Sequence, residues 1–190
     1  MFALVQDGSI TKHLSGNKGV TIGDIQYPRN IFTLWSAEEK EAIGIYEIVH
    51  NNNNKRDEAF YTNTNVSYAF ADGVVTASYG SATARSLVDV TDEDDNVTLG
   101  LKSQRKEFIK QQASNLLTLN DWYVIKATEV ESYSVPSAIT TYRANVRTKS
   151  NDMEVLIDAC STVDELAALY VYNDDTPPIR PLGEFPTLEI

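Results

Sequence analysis

The residue pattern changes character near residue 90, and this change limits the folds that the chain can adopt. Before it, the chain is rich in Val, Ile, Tyr, Phe and Thr and is interrupted by Gly, Asn and Asp, as is typical of short strands and turns. After it, charged and aliphatic residues recur at longer intervals, which favours helices. Because the strands precede the helices instead of alternating with them, the sequence predicts an α+β fold.

The first half predicts a small antiparallel β meander, over residues 1–80, that contains one short helix. Two Asp-Gly dipeptides, at residues 7–8 and 72–73, each separate two apolar segments and therefore predict β-hairpins. Ser36 is followed three positions later by Glu39, a spacing at which the two side chains can cap the start of a helix. This capping box predicts the short helix.

The second half predicts an acidic linker over residues 81–96, a helical domain over residues 97–172 and an extended tail over residues 173–190. The pattern from about Asp94 to Leu119 indicates one long helix with a thin apolar stripe, so the helix is expected to project or to meet another polypeptide. Four prolines in the tail exclude a continuous helix or a central strand there.

The helical domain is expected to continue, after the long helix, with an extended apolar segment over residues 122–125. Pro136 then opens a second helix, residues 153–159 form a third, and a capping box of Thr162 and Glu165 predicts a fourth.

Composition excludes several classes of function. Sixteen Lys and Arg against twenty-seven Asp and Glu give a net charge of -11, which argues against general binding of nucleic acid or of anionic membranes. No apolar run is long enough for a transmembrane helix, so membrane insertion is not expected. Cys160 is the single cysteine, so it cannot form an internal disulfide, and we expect it to be a small buried hydrophobic residue.

The sequence offers no convincing reaction centre. His13 and His50 lie at predicted strand borders, where polar surface is a better interpretation than catalysis or metal binding. The acidic run at residues 92–95 lacks the central glycine of a calcium loop and is interpreted as a solvated helix start. The glycine-containing loop over residues 16–19 offers only Lys18 to a phosphate. The chain is therefore predicted to be no enzyme, with no catalytic residue, no cofactor and no metal.

One arrangement of residues in the second half carries a resemblance to known proteins. Its members are Leu116, Leu117, Asp121, Trp122, Pro136, Tyr142, Arg143 and Arg147. A helix that ends in two leucines and an Asp-Trp turn, followed by a proline-started helix with a Tyr-Arg pair, resembles a module of tailed-bacteriophage proteins. Over residues 1–80 the chain is more loosely similar to the N-terminal β domains of such proteins.

The resemblance implies a non-enzymatic virion component of the phage tail, the tail fibre or a tail adaptor, made in the host cytoplasm. Such a protein docks onto other tail proteins, in a symmetric assembly, and the tail segment is expected to lie across a neighbouring subunit. A tail-fibre assembly chaperone is one alternative, and a carbohydrate-binding module that uses the tyrosines of the β half is a second. The predicted partner-binding residues are Tyr142, Arg143, Ile179, Leu182, Phe185 and Leu188.

Overall fold

The computed structural model describes residues 1–64 and 66–188. The chain divides into two compact units, Met1–Thr83 and Ala84–Ile190. Both strands and helices are present, and the long helices lie in the second unit, so the fold is of the mixed α+β kind that the residue pattern predicts. Residues 189 and 190, which end the predicted tail, lie outside the described residues.

The first unit is built on a five-stranded sheet in the order β2-β1-β5-β8-β7. Its elements in chain order are β1 (Phe2–Gln6), β2 (Ser9–Leu14), β3 (Val20–Ile22), β4 (Ile25–Tyr27), α1 (Ile31–Leu34), α2 (Ala37–Glu41), β5 (Ile45–Asn51), β6 (Tyr61–Thr62), β7 (Ser67–Ala71) and β8 (Val74–Ser78). A further short strand, β9 (Thr83–Ala84), lies where the two units meet along the chain.

The sheet is mixed, so the prediction of a purely antiparallel meander is wrong. Strands β5 and β8 run parallel, with Ile48 opposite Val75, whereas the other pairs of the sheet are antiparallel. This pairing buries Ile48 and Val75 in one apolar cluster. Because it joins strands more than twenty residues apart, no local turn signal could have indicated it.

The local signals of the first unit are confirmed. Both predicted Asp-Gly turns connect antiparallel strands, and their residues have the positive φ angles of tight hairpin turns: 50° and 74° at residues 7 and 8, 51° and 77° at residues 72 and 73. The N–H of Glu39 donates to Ser36 Oγ at 3.2 Å, and the N–H of Ser36 donates to Glu39 Oε2 at 2.8 Å. This capping box starts α2, where the sequence places a helix.

Apolar side chains cover both faces of the sheet. On one face, Leu4 and Ile45 pack with the buried Phe32 of α1. On the other face, Val5 and Ile48 belong to a second buried cluster. The edge strands β2 and β7 also lie close to each other. The ring centroids of His13 on β2 and Tyr68 on β7 are 4.2 Å apart. The sheet is therefore strongly curved.

The second unit consists of a small hairpin followed by helices. Its elements are β10 (Val90–Thr91), β11 (Val97–Thr98), α3 (Leu101–Thr118), α4 (Asp121–Glu129), α5 (Ser137–Ala159) and α6 (Val163–Ala168). The capping box predicted for α6 is confirmed: the N–H of Glu165 donates to Thr162 Oγ1 at 3.1 Å, and Glu165 Oε2 accepts from the N–H of Thr162 at 3.3 Å.

The acidic run at residues 92–95 is the turn of the β10–β11 hairpin, so its interpretation as a helix start is wrong. Asp92 Oδ1 accepts the backbone N–H groups of Asp94 and Asn96, each at 2.9 Å. Bonds from the backbone N–H and side-chain amide of Asn96 lower the pKa of the Asp92 carboxyl. Helix α3 starts only at Leu101, because the extended backbone of Gly100 precedes it.

Two further expectations for the second unit are wrong. Residues 122–125 belong to helix α4 instead of forming an extended segment. Residues 153–159 continue helix α5 and do not form a separate helix, since the fully buried side chains of Val146, Met153 and Ile157 lie along one face of an uninterrupted helix. The apolar face of α5 outweighs the weak helix propensity of the Asn-Asp pair at residues 151–152.

Candidate interaction site

Arg143 connects three helices of the second unit. From α5 it reaches the last turn of α3, where Nη1 donates to the carbonyl oxygen of Leu117 at 2.7 Å, and the start of α4, where Nη2 donates to Asp121 Oδ1 at 2.7 Å. The Arg143 side chain is only 11% exposed, whereas that of Asp121 is 48% exposed. Arg143 was predicted to bind a partner, but in the structure it is occupied by contacts that hold the start of α4.

A polar groove of about 540 Å³ runs between α3 and α5 beside this contact. The ion pair of Arg143 and Asp121 lies at the groove, together with a second pair between Lys110 Nζ and Glu154 Oε2 at 3.2 Å. Arg147 also lines the groove and donates from Nη1 to the carbonyl oxygen of Arg143 at 3.2 Å. Because both positive and negative side chains line it, the groove suits a polar surface of mixed charge.

Tyr142 lies in the core of the second unit. Its side chain is buried with Ala113 and Val146, which brings α3 and α5 together. Phe185 and Leu188, two of the predicted partner-binding residues in the tail, pack against the same cluster. These three residues are therefore engaged within their own unit, and docking through Phe185 or Leu188 would require the tail to leave these contacts.

Leu182 is the most deeply buried residue of the tail, with no exposed surface. Its backbone is fixed on both sides, since its N–H donates to the carbonyl oxygen of Leu169 at 3.0 Å and its own carbonyl oxygen accepts from Lys149 Nζ at 3.0 Å. Ile179, by contrast, is 53% exposed. Of the four tail residues predicted to bind a partner, the structure leaves only Ile179 largely accessible.

Arg180 joins the tail to two tyrosines that follow α6. Its guanidinium lies 5.7 Å from the ring centroid of Tyr170 and 5.4 Å from that of Tyr172, and it forms an ion pair with Glu184 at 2.7 Å. The Tyr172 hydroxyl donates to Glu184 Oε1 at 2.6 Å, and this bond raises the pKa of the Tyr172 phenol. Burial raises the pKa of Tyr170. These contacts fix the turn through which the tail returns to the helices.

Helix α4 carries the apolar surface that the sequence analysis did not single out. None of its side chains is buried. Leu119, just before the helix, is 73% exposed, and Trp122 and Ile125 are 51% and 54% exposed. Trp122 and Ile125 are three positions apart, so they lie along one side of α4, whereas Leu119 ends α3 and precedes α4 by two residues. The three-residue spacing of Trp122 and Ile125 could have indicated this surface. It was not used because residues 122–125 were expected to form an extended segment.

Most of the remaining candidate residues pack against their local surroundings. Cys160 is buried, its Sγ donates to the carbonyl oxygen of Leu156 at 3.3 Å, and burial raises the pKa of its thiol. The His13 ring packs against Tyr68, and His50 is exposed on β5. Of the tyrosines considered for carbohydrate binding, Tyr27 packs edge-on against Trp35 and Tyr61 is buried.

Neither a metal site nor a membrane span is evident in the described parts of the chain. No group of three or more His, Cys, Asp or Glu side chains that could hold a metal ion occurs there. No helix in residues 1–64 and 66–188 combines the length and the apolar character needed to cross a bilayer.

The chain matches no protein-family model, and comparisons with curated proteins and with solved structures find no match either.

Proposed function

We propose that the chain is a non-enzymatic component of a bacteriophage tail, tail fibre or tail adaptor, and that it acts by docking onto neighbouring tail proteins. The resemblance of residues 101–147 to phage modules supports the biological setting. The exposed apolar side of helix α4 supports docking as the mode of action and is the single observation on which the proposal rests.

The proposed docking surface consists of Leu119, Trp122 and Ile125 and is called the α4 surface. Apolar side chains exposed singly are common on soluble proteins, but Trp122 and Ile125 share one side of α4, and the exposed Leu119 lies just before the helix, so exposed apolar area is concentrated in this segment. Tryptophan is also enriched among the residues that contribute most to protein interfaces. A neighbouring subunit that covered the patch would bury apolar area worth about 25 cal/mol per Å², less the cost of association.

The position of α4 favours a firm contact. Arg143 fixes the first turn of the helix through its bond to Asp121, so Trp122, the next residue, starts from an anchored position. An anchored surface loses less conformational freedom on binding than a flexible one. In this proposal, Tyr142 and Arg143 act indirectly, by building and holding the α4 surface, and do not themselves touch the partner.

Replacing Trp122 and Ile125 together by serine tests the proposal. We expect the variant to fold and to be depleted in purified phage particles, as measured by quantitative mass spectrometry against the wild-type protein. The matched control is Val155→Ser on α5, because Val155 is 67% exposed yet lies outside the α4 surface. Normal incorporation of the double variant would contradict docking through α4.

The same experiment separates a virion component from a tail-fibre assembly chaperone. A virion component is present in finished particles in a fixed ratio to the tail proteins. A chaperone is absent from finished particles, although its α4 variant would still reduce the yield of particles that carry fibres. Detection of the wild-type chain at a constant ratio would support the virion component.

A further inference from the structure

A second cavity lies in the first unit, at the loop that connects β2 to β3. It has a volume of about 240 Å³, and residues of β2, of the loop and of α1 line it. We call it the β2–β3 pocket, and its main lining residues are Lys12, Leu14, Gly16, Lys18, Val20 and Phe32. Phe32, Leu14 and Val20 are buried and form an apolar floor, whereas the two lysines are at the exposed rim.

The charge of the β2–β3 pocket is opposite to that of the whole chain. The chain carries a net charge of -11, yet among the described residues that line the pocket none is Asp or Glu. Lys12 and Lys18 form no ion pair with any described residue. His13 also lines the pocket, but its ring is engaged with Tyr68. Two lysines without an ion pair among the described residues therefore line a cavity that has no acidic lining residue.

The backbone of the loop adds hydrogen-bond donors. Within the described residues, the N–H groups of Gly16 and Lys18 donate to no protein acceptor. Gly16 has a φ of +72°, and a Cβ there would lie 3.1 Å from the Phe2 ring, so a side chain would strain the loop and crowd its packing. Successive backbone N–H groups in a turn that includes a left-handed residue form a concave site for anions.

We propose that the β2–β3 pocket binds a phosphate group, either free phosphate or the terminal phosphate of a small ester. Lys12 and Lys18 supply the positive charge, and the amides of Gly16 and Lys18 supply directional donors. The cavity, at about 240 Å³, is several times the roughly 30 Å³ that one water molecule occupies in the liquid, which leaves room beside a phosphate for a short carbon chain over Phe32. This inference concerns the first unit and is independent of docking through α4.

Titrations of the full chain, followed by the amide NMR signals of residues 15–20, test the inference. The probes are inorganic phosphate and glycerol 3-phosphate, with acetate as the comparison anion and the ionic strength held constant, because salt screens exposed charges. We expect saturable shifts of the Gly16 and Lys18 amides with a phosphate probe and none with acetate. Tighter binding of glycerol 3-phosphate would identify an ester as the ligand, and equal binding would identify free phosphate.

Charge-removing variants make the test specific. Lys12→Gln and Lys18→Gln should each weaken phosphate binding about tenfold or more, because a hydrogen bond to a charged group is lost. Lys55→Gln is the matched control: it removes the same charge from the first unit, but Lys55 is paired with Glu58 and does not line the pocket. Absence of saturable shifts in the wild-type chain, or equal weakening by Lys55→Gln, would overturn the proposal. Unchanged signals elsewhere in the spectrum verify that each variant is folded.

Discussion

Helix α4 and the tail show the opposite of what their compositions suggest. Helix α4 contains Trp, Tyr, Val and Ile within nine residues, yet buries no side chain. The tail contains four prolines and forms no helix or strand over residues 173–188, yet it buries Leu182 completely. The segment that looks like a core element is exposed, and the segment that looks like free chain is packed.

The difference shows that burial in this unit depends on which groups face a segment and not on its hydrophobicity alone. Phe185 and Leu188 of the tail meet an apolar cluster on α3 and α5. Both backbone groups of Leu182 find partners, at Leu169 after α6 and at Lys149 on α5. The first turn of helix α4 is held by Arg143, and none of the helix's side chains is buried. A partner protein is therefore expected to use the helix before it uses the tail.

Among substitutions in the tail, Leu182→Ala should produce the largest loss of stability. The substitution removes a fully buried side chain and leaves a cavity, so we expect a loss of about 2–5 kcal/mol in the free energy of unfolding of the second unit. Urea unfolding followed by circular dichroism at 222 nm measures it, because the long helices lie in this unit. Ile179→Ala, at an exposed position of the same tail, should change stability by less than about 0.5 kcal/mol. Equal effects of the two substitutions would contradict the packed tail.

Arg143→Met should have the next largest effect on stability, and we expect α4 to be the helix that it destabilises most. It removes the donors to the Leu117 carbonyl and the Asp121 carboxylate, at a cost of about 1.5–3 kcal/mol for a hydrogen bond to a charged group. Hydrogen exchange should accelerate at the backbone N–H groups of α4 more than at those of α5. Arg147→Met is the control, because Arg147 is exposed and makes one longer bond to a carbonyl. Unaltered exchange in α4 would show that Arg143 does not hold this helix.

Short-range features of the fold could be predicted from the sequence. The two Asp-Gly hairpins and both capping boxes depend on residues within four positions of each other, and the structure contains all of them. Their physics is local, since a positive φ or an unpaired N–H at a helix start is satisfied by the nearest side chains and needs no tertiary contact.

Features that depend on distant partners could not be predicted in the same way. The parallel pairing of β5 with β8 joins residues far apart in sequence, and α4 is helical where its apolar run suggested extended chain. The resemblance to a phage module singles out Arg143 as a residue of interest. Its role could not be predicted, because its partners Leu117 and Asp121 lie more than twenty residues away in the sequence. The burial of Leu182 likewise depends on helices that precede it in the chain.

Trp122→Ser should change the free energy of unfolding little, although we expect the loss of Trp122 to weaken the proposed docking. Trp122 is 51% exposed, and its ring packs on that of the adjacent Tyr123 at a centroid distance of 3.8 Å, so we expect a change within about 0.5 kcal/mol in the free energy of unfolding. Tyr142→Ala, which truncates a buried aromatic ring, should cost about 3–5 kcal/mol in the same urea experiment. A large loss from Trp122→Ser would mean that α4 belongs to the core of its unit, and the comparison between helix and tail would fail.

The smallest expected effect is a change in the titration of Tyr172, which reports on the turn of the tail. The bond from its hydroxyl to Glu184 raises the pKa of Tyr172 above the ordinary value of 10.0. Because the folded-state pKa is raised, the bond contributes to stability below pH 10 and is lost as the pH rises through the folded pKa, when a phenolate faces a carboxylate.

Absorbance of tyrosinate at alkaline pH, compared between the wild-type chain and Tyr172→Phe, isolates this ring from the other tyrosines. Glu184→Ala should move its titration to lower pH, because the bond that favours the protonated phenol is gone. Glu129→Ala, at the exposed end of α4, is the control and should leave it unchanged. If Tyr172 titrates at the same pH with and without Glu184, the turn does not hold the tail through this bond, and the other contacts of the tail, such as the packing of Leu182, Phe185 and Leu188, must account for its position.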